Sequence, residues 1–301
     1  MAARLLAAAL ALELALYLAM SELLLPPPLR WTGLLLIPIA MVTLRVCLVL
    51  VSFMISAPME TAERLSLQER VRMWAKECAA FFKFQWLILR GPSPDHFPPI
   101  ALPRRPDRPL VVLLHGIFCS GAIWRPIAAT LAQRTGCEVW TPSIQGVTAS
   151  LPTQIEEFIA LLERENESRR QPLILIGHSL GGLIAREAAR KAPHLRIEQV
   201  ICMGSPHAGT VLARWLPVRI ARDLRPHAPA PHAVPGALLN IYCEHDNLVV
   251  PAQSSRLCGA CNVCIRGCGH MALIYSSRAL ELLAQQIARH STREGVERAS
   301  R

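Results

Sequence analysis

The chain has 301 residues, 52% of them apolar and 18% charged, and its formal net charge is +10. This composition excludes an intrinsically disordered, collagen-like or coiled-coil protein. A high apolar content together with a basic charge indicates that apolar residues are concentrated in a membrane segment. The arginines lack the aromatic-basic pattern of an RNA-binding motif, so we expect anionic lipid and no nucleic-acid partner. The 10 cysteines are typical of free thiols in a reducing compartment.

Two apolar runs, residues 5–25 and 33–57, are each long enough to cross a bilayer. The prolines at 26–28 leave only a short connection between them, which predicts an antiparallel transmembrane hairpin within residues 1–58. Glu13 and Arg45 lie near the middle of their runs and would meet at a similar depth. We predict that they pair; the alternative is that each faces water or a partner protein.

The alternative for the first run is a cleavable signal peptide over residues 1–21, against which Glu13 in the apolar region argues. Basic residues closely follow the second run: Arg64, Arg70, Arg72 and Lys76. The connection between the runs contributes only Arg30. The positive-inside rule therefore predicts both ends in the cytoplasm, and we expect a bacterial inner-membrane protein with two spans whose following domain is cytoplasmic.

Residues 59–106 are predicted to form a juxtamembrane segment. Its first part, residues 60–89, has the periodicity of an amphipathic helix and ends in aromatic residues: Phe81, Phe82, Phe84 and Trp86. Such a helix lies at the membrane interface or packs on the following domain, and periodicity alone does not separate the two. The prolines between residues 92 and 106 indicate a linker.

From residue 107 to residue 290, short apolar runs alternate with helix-like stretches. The strand candidates are residues 109–114, 137–140, 172–176, 199–203, 237–242 and 262–266. The helix candidates include residues 155–165, 180–191 and 272–290. Short apolar strands bounded by glycine and proline suit a parallel sheet buried on both faces, so we predict a doubly wound α/β domain. Residues 291–301 are predicted to be a disordered polar tail.

A G-x-S-x-G motif, residues 177–181, directly follows an apolar strand candidate and opens a helix candidate. A turn this tight needs flanking positions without side chains, and it projects the Ser179 hydroxyl above the sheet edge. Ser179 is therefore the predicted nucleophile. The alternative, a glycine-rich turn with an incidental serine, requires that no catalytic partners follow at other strand ends.

Candidate partners do follow, in the order serine, acid, histidine. Asp246 comes after the fifth strand candidate and His270 after the sixth. We predict that His270 takes the proton from Ser179 and returns it to the leaving group, while Asp246 holds the imidazole tautomer. Glu244, in the same loop, is the alternative acid. Two further histidines near the mouth of the site are expected to be structural: His207 and His245.

The oxyanion that forms after attack needs N–H donors positioned in advance. The predicted donors are the backbone amide of Leu180 at the helix start and that of Ile117 in the loop after the first strand. This chemistry requires neither a cofactor nor a metal ion, and we predict none.

One run of cysteines has the spacing C-x2-C-x2-C-x3-C, the ligand spacing of bacterial iron–sulfur ferredoxins. It consists of Cys258, Cys261, Cys264 and Cys268. Two observations oppose a cluster: Cys264 lies within a predicted core strand, and Gly269 stands where the ferredoxin run has proline. We expect these residues to be buried or surface thiols, which are common as small hydrophobes.

Together these motifs resemble those of the α/β-hydrolase superfamily, and within it the chain is similar to bacterial lipases and esterases. The matching segments are residues 115–117, 177–182 and 204–210 and the loops that carry Asp246 and His270. The resemblance covers about residues 107–290 and leaves no room for two leading antiparallel strands, which implies the compact, lipase-like version of the fold. It implies hydrolysis of carboxylic esters without identifying the acyl chain or the alcohol.

Residues 211–236 stand where a lid would cover such a site. Their apolar residues alternate with arginines, a composition suited to an anionic bilayer: Arg214, Arg219, Arg222 and Arg225. An ordinary capping segment is the alternative. With a membrane anchor and a basic, apolar cap, we expect a lipid or long-acyl ester as substrate. A thioesterase or acyltransferase with the same triad, and a non-catalytic membrane scaffold, are the alternative functions.

Overall fold

The computed structural model describes residues 1–91, 108–144, 146, 148–167, 171–227 and 237–299.

The N-terminal residues form a helical hairpin. Helix α1 (Ala2–Leu24) and helix α2 (Arg30–Ile55) are joined by a single 3-10 turn (Pro27–Leu29), and α2 continues through Pro38. By length and composition both helices suffice to cross a membrane. The predicted hairpin is therefore compatible with the two helices that the structure places there.

The two charges inside the hairpin pair with each other. Arg45 Nη1 donates to Glu13 Oε1 at 2.9 Å and Arg45 Nη2 donates to Glu13 Oε2 at 2.6 Å, a two-point contact that suits a guanidinium and a carboxylate. The predicted pairing is confirmed. A third residue, Gln85, takes part, because its Oε1 accepts a hydrogen bond of 3.1 Å from Arg45 Nε.

Helix α3 (Leu67–Arg90) brings Gln85 to the hairpin. It begins at a capping box in which the Ser66 hydroxyl accepts from the Glu69 backbone and the Glu69 carboxylate accepts from the Ser66 backbone. Its buried face includes Phe84 and Ile88, which belong to the core of the following domain. The amphipathic helix thus starts seven residues later than predicted, and it packs on the domain. The predicted linker at 92–106 lies outside the described residues.

Six parallel strands form one sheet in the order β2-β1-β3-β4-β5-β6. The strands are β1 (Leu110–Leu114), β2 (Val139–Trp140), β3 (Leu173–His178), β4 (Ile197–Met203), β5 (Ala237–Tyr242) and β6 (Cys261–Cys264). The helices around them are α4 (Arg125–Thr135), α5 (Leu151–Asn166), α6 (Leu180–Lys191), the short α7 (Ile220–Asp223) and α8 (Ser277–Ala299). The predicted doubly wound sheet is confirmed, and each strand candidate corresponds to a strand.

Both faces of the sheet are buried, as expected for parallel strands covered by crossover helices. Val111 and Leu113 face a core shared with α3, α4 and α8, whereas Val112 and Leu114 face a second core with α5 and α6. The strand order reverses beside β1, since β2 lies on one side of it and β3 on the other. In open α/β sheets the carboxyl ends of the strands at such a point form the ligand-binding crevice.

The C-terminal helix differs from its prediction at both ends. A 3-10 turn (Ala272–Tyr275) precedes α8, which starts at Ser277 and continues to Ala299. Residues 291–299 therefore extend the helix, where a disordered tail was predicted. Helix propagation costs little once a helix is nucleated, and the segment contains no proline that would end it.

Candidate active site

Ser179 occupies a strained turn between β3 and α6. Its backbone has φ 56° and ψ −125°, a conformation that L-residues rarely adopt, and its N–H donates to the Met203 carbonyl of β4 at 2.8 Å. Strain of this kind persists only where neighbouring structure enforces it. Ser179 therefore has the position that the G-x-S-x-G motif predicts at the end of the strand.

The glycines of the motif are required because backbone segments approach each other closely. A Cβ atom at Gly181 would lie 2.6 Å from the His115 carbonyl oxygen and 2.7 Å from that of Leu114. A Cβ atom at Gly177 would clash with the Gly181 backbone. A side chain at Gly181 would push α6 away from β1, and one at Gly177 would push β3 and α6 apart.

Asp246 and His270 lie together in the loops after β5 and β6. His270 Nδ1 is 2.9 Å from Asp246 Oδ2 and 3.1 Å from Oδ1, and both side chains are buried. Asp246 Oδ1 also accepts from the backbone N–H groups of Leu248 and Val249, at 2.9 and 2.7 Å, which fixes the carboxylate. Nδ1 of His270 is thus the donor and Nε2 is left as the base.

The alternative acid, Glu244, points elsewhere. Its Oε1 atom lies 3.7 Å from Arg266 Nε and 3.9 Å from His245 Nδ1. Asp246, in contrast, accepts hydrogen bonds from three donors and lies next to His270. The geometry therefore favours Asp246 as the acid of the site.

The environment of His270 adjusts its basicity. Burial alone lowers the pKa of His270, but the charge and hydrogen bond of Asp246, with a contribution from Glu77, raise the pKa above its ordinary value of 6.5. A raised pKa strengthens the imidazole as a proton acceptor, which is what a general base requires.

His178, the residue before Ser179 in the chain, contacts His270 directly. The rings of His178 and His270 lie 4.6 Å apart, and His178 Nε2 donates to the His270 carbonyl at 3.0 Å. Among the described residues, Ser179 Oγ makes no hydrogen bond to His270. Such bonds are commonly long in ligand-free sites and shorten when substrate binds.

The loop after β1 passes directly over Ser179. A Cβ atom at Gly116 would lie 3.0 Å from Ser179 Cβ and 3.5 Å from Ser179 Oγ. The His115 ring fixes this loop, because its Nδ1 bonds the Gly116 carbonyl at 2.9 Å and its Nε2 accepts from the Ile144 N–H at 3.1 Å. Burial lowers the pKa of His115 to about 4, so the ring stays neutral as this pattern requires.

One predicted oxyanion donor, Leu180, directly follows Ser179 in the chain, and the other, Ile117, follows Gly116 in the loop over Ser179. Leu180 is the first residue of α6, where backbone N–H groups have no partner within the helix. Ile117 follows Gly116 in the loop over Ser179 and precedes Phe118, whose φ of 56° is again unusual for a residue other than glycine. Within the described part of the chain, neither N–H group donates to another protein atom.

A model of the alpha/beta hydrolase family matches residues 111–240, a range that includes Ser179 and ends before the acid and histidine loops. This match and the parallel sheet with its serine turn decide the family of the matched segment. Residues 111–240 belong to the α/β-hydrolase superfamily.

Similar proteins agree with this placement. The α/β-hydrolase segment is 31% identical over 123 residues to the sn-1-specific diacylglycerol lipase ABHD11 of Xenopus laevis, covering 40% of this chain and 39% of that protein. It is 30% identical over 111 residues to the pimeloyl-(acyl-carrier protein) methyl ester esterase of Aliivibrio salmonicida (strain LFI1238), covering 37% and 41%. The chain thus spans about two fifths of the length of these curated relatives.

Among solved structures, the Bacillus licheniformis lipase BlEst2 in its mature form superposes with a TM-score of 0.52 at 17% identity, covering 65% of this chain and 96% of that one. An arylesterase superposes with a TM-score of 0.50 at 16% identity, covering 76% and 99%. At these identities the likeness concerns the fold alone.

Two residues of this α/β-hydrolase site were not predicted. Asn247 Oδ1 accepts from the His270 backbone N–H at 2.9 Å. The buried carboxylate of Glu77, from α3, accepts from the backbone N–H groups of Met271 and Ala272, each at 2.8 Å. Burial raises the pKa of Glu77, and these two hydrogen bonds oppose the rise.

Both residues carry a signal that sequence reasoning can use. Glu77 is a carboxylate within the otherwise apolar stripe of an amphipathic helix, next to Met73 and Phe84 on the same face. Asn247 directly follows the predicted acid. Neither signal identifies its partner, because the contacts of Glu77 lie almost 200 residues away along the chain.

The other histidines have structural surroundings. His207 Nε2 bonds Asn240 Oδ1 at 3.1 Å and its Nδ1 lies 3.0 Å from Arg186 Nη1. His245 lies beside Glu244 and contributes to a separate surface cavity with Phe53 and Met54 of α2. That neither histidine is catalytic stays a prediction.

The cysteine run does not converge on one point. Cys268 is buried against Cys243, with 3.5 Å between their sulfur atoms, whereas Cys258 and Cys261 are exposed. The hydrogen bond to Cys268 and burial raise the pKa of the Cys243 thiol. Within the described ranges, no three or more His, Cys, Asp and Glu side chains are grouped as a metal site would require.

The described part of the predicted cap packs on the domain. Ala213 and Ile220 belong to the core beneath α5 and α6, whereas Trp215 is exposed. Residues 228–236, which complete the predicted segment of 211–236, lie outside the described residues. The packing of Ala213 and Ile220 is that of a capping segment.

Proposed function

We propose that this chain is a membrane-anchored serine hydrolase that cleaves carboxylic esters of lipids or long-chain acids. The observation that carries this proposal is the buried pair of Asp246 and His270, 2.9 Å apart, beside the strained turn of Ser179. The names of the two curated relatives, a diacylglycerol lipase and a methyl ester esterase, support ester cleavage as the reaction.

In the acylation step, Ser179 Oγ attacks the ester carbonyl carbon while its proton passes to His270 Nε2. Asp246 stabilises the imidazolium through Nδ1–H, and the N–H groups of Ile117 and Leu180 donate to the oxyanion. The intermediate then collapses: the bond to the alcohol oxygen breaks, and the alcohol leaves with the proton held by His270. The acyl group remains on Ser179.

In the second step, His270 takes a proton from a water molecule, which attacks the acyl-serine. The bond to Ser179 Oγ breaks, the carboxylic acid leaves, and His270 returns the proton to the serine. A thiol ester enters the same cycle with a thiol as the leaving group, and an alcohol acceptor in place of water makes the enzyme an acyltransferase.

Membrane anchoring is supported by the surface of the hairpin. Large apolar side chains of α1 and α2 are exposed along both helices, for example Leu12, Leu35 and Met54. An exposed apolar surface of this extent marks a membrane or protein contact. The basic residues after α2 favour a cytoplasmic catalytic domain. At the other end of the hairpin, the charge of Arg30 is already paired with Glu22, at 2.8 Å.

The nucleophile is tested by labelling the detergent-solubilised protein with a fluorophosphonate probe. We expect labelling of wild type and none of Ser179→Ala. Ser205→Ala is the matched control, because Ser205 is a buried hydroxyl that closely approaches Gly182 of α6. Labelling at another serine would reassign the nucleophile, and no labelling of wild type would favour the non-catalytic scaffold.

The substrate class is tested with a chain-length series of p-nitrophenyl esters, together with phospholipids and acyl thioesters of the same chains. We expect long acyl esters to have the highest kcat/KM. A preference for thioesters at equal chain length would favour the thioesterase alternative. Transfer to added alcohol in place of hydrolysis would favour the acyltransferase.

Anchoring and orientation are tested with reporters in a bacterial host. We expect the protein to resist carbonate extraction. Alkaline phosphatase inserted after Leu29 should be active and green fluorescent protein at the C-terminus should fluoresce, because the hairpin end then lies outside the cytoplasm. The reverse reporter pattern would invert the proposed orientation.

A further inference from the structure

We propose that the hairpin is itself part of the substrate site: one acyl chain of the lipid ester lies in a chamber between the hairpin and the catalytic domain and enters it sideways from the bilayer. This inference rests on the proposed ester hydrolysis and adds to it the location of the acyl chain. It gives α1 and α2 a role in substrate binding beyond that of an anchor.

The chamber is a cavity of about 590 Å³, within the range of about 300–1,000 Å³ usual for small-molecule sites. One wall comes from the hairpin, through Leu5 and Leu6 of α1 and Leu48 and Val49 of α2. These residues belong to the halves of the two helices nearest the chain ends of the hairpin, beside the catalytic domain. A second wall comes from α3, through aromatic residues that include Phe84.

The opposite side of the chamber is lined by residues that neighbour the proposed catalytic ones. Ile117, whose N–H is a proposed oxyanion donor, lines the cavity together with Phe118. Met271, the residue after His270, and Asn247, which binds the His270 backbone, line it as well. An ester carbonyl placed at Ser179 would therefore have its acyl chain directed toward the hairpin.

Two of the polar side chains in the lining are already engaged with protein partners. Gln85 Oε1 accepts from Arg45 Nε at 3.1 Å, and Ser52 Oγ accepts from Asn247 Nδ2 at 2.7 Å. These contacts occupy Gln85 Oε1 and Ser52 Oγ. What remains is mainly a hydrocarbon surface, which suits an acyl chain and disfavours a sugar or a peptide.

The chamber reaches the surface that the hairpin presents to lipid. Leu5 and Leu48 line it, yet they are 44% and 53% exposed, so they stand at its edge between the two helices and the domain. A lipid chain in the adjacent leaflet would pass these residues on its way to Ser179 without entering water. The predicted cap contributes only Val218 to the lining, among the described residues.

The test compares Leu48→Trp with Leu44→Trp in the full-length protein in nanodiscs. Leu44 lies one turn earlier on α2, is also exposed and is no part of the chamber lining, so it is the matched control. We expect Leu48→Trp to lower the ratio of kcat/KM for p-nitrophenyl dodecanoate over p-nitrophenyl acetate by about tenfold or more, the effect of misfitting a hydrophobic pocket. Leu44→Trp should keep the wild-type ratio.

A second measurement does not depend on turnover. An alkyl fluorophosphonate with a photoreactive diazirine near the chain end is bound to Ser179 and irradiated, and the cross-linked peptides are mapped. Cross-links to residues 2–6 or 48–52 support the chamber. Cross-links confined to residues 211–227 overturn it.

The outcomes separate the two proposals. If wild type cleaves neither ester and the probe leaves Ser179 unlabelled, the proposed hydrolase function fails. If wild type cleaves both esters and the Leu48→Trp and Leu44→Trp ratios are equal to that of wild type, the chamber is wrong and the hydrolase function stands.

Discussion

Asn247 Nδ2 donates a hydrogen bond of 2.7 Å to Ser52 Oγ, 195 positions away in the chain. The same asparagine accepts from the backbone N–H of His270 through Oδ1. One side chain thus joins the second hairpin helix to the loop that carries the proposed base. Two backbone bonds reinforce this junction, from Met59 to Glu244 and from Ala252 to Ala57, at 3.1 and 3.0 Å.

Asn247→Ala should lower kcat for p-nitrophenyl acetate by about 10- to 100-fold, because small misplacements of a catalytic group are costly. Ser52→Ala is the control: it removes the bond to the hairpin and keeps the acceptor for the His270 N–H, so its loss should be much smaller. Melting temperatures of both variants show whether stability explains the difference. Equal kcat losses in the two variants would argue against a positioning role for Asn247.

Asp246→Asn should lower activity by about 10⁴-fold, the typical effect of losing the triad carboxylate, and it should also shift the pH profile. His270 accepts a proton only when neutral, so kcat/KM falls as the pH drops below its raised pKa, and the acidic limb of wild type lies above 6.5. Removing the negative charge lowers that pKa, and the limb moves to lower pH.

Glu244→Gln is the matched control for Asp246→Asn, since Glu244 lies in the same loop and contacts Arg266 and His245. Its acidic limb should coincide with that of wild type. A shift in this variant, with none in Asp246→Asn, would restore Glu244 as the acid.

Glu77→Ala should lower both stability and kcat. It leaves the buried N–H groups of Met271 and Ala272 without an acceptor, at a cost of about 1–3 kcal/mol for each unsatisfied group, and it releases the residue next to His270. Glu69→Ala, which breaks the capping box of the same helix, should cost stability alone. Thermal unfolding and kcat are measured together. An unchanged kcat in Glu77→Ala would limit Glu77 to a structural role.

Single replacement of Glu13 or Arg45 by alanine should reduce membrane insertion, because each leaves an ion unpaired in the hairpin at about 2.5–3.5 kcal/mol on insertion scales. The exchange Glu13→Arg with Arg45→Glu should restore the carbonate-resistant fraction. Glu22→Ala, which breaks the exposed pair with Arg30, should insert like wild type. Failure of the exchange to restore insertion would show that the pair contributes nothing to it.

Much of the fold follows from local pattern. The six strands and the serine turn are encoded within a few residues each, by short apolar runs bounded by glycine or proline, and so their positions were predictable. The choice between Asp246 and Glu244 was not, because both lie in one loop and only the position of His270 distinguishes them. The periodicity of residues 60–89 does not show where α3 starts, because the Ser66 capping box that begins the helix is a signal of a different kind.

The arrangement of α3 could not be predicted for a different reason. Its apolar stripe fits a membrane surface and a protein core equally well, and only tertiary contacts decide between them. In the structure Phe84 packs edge-on against Tyr275 at 5.6 Å and against His178 at 6.3 Å between ring centroids. These partners lie far along the chain, where periodicity carries no information.

The burial of Phe84, Ile88 and Glu77 against the α/β domain affects how this protein can be produced. A soluble fragment cut at residue 107, the boundary that composition suggests, would lose the core contacts of Phe84 and Ile88 and the acceptor of two loop amides. Such a fragment would expose apolar surface and tend to aggregate. Purification should therefore keep the hairpin and α3 in detergent or nanodiscs, since the part that looks like a removable tether completes the hydrolase.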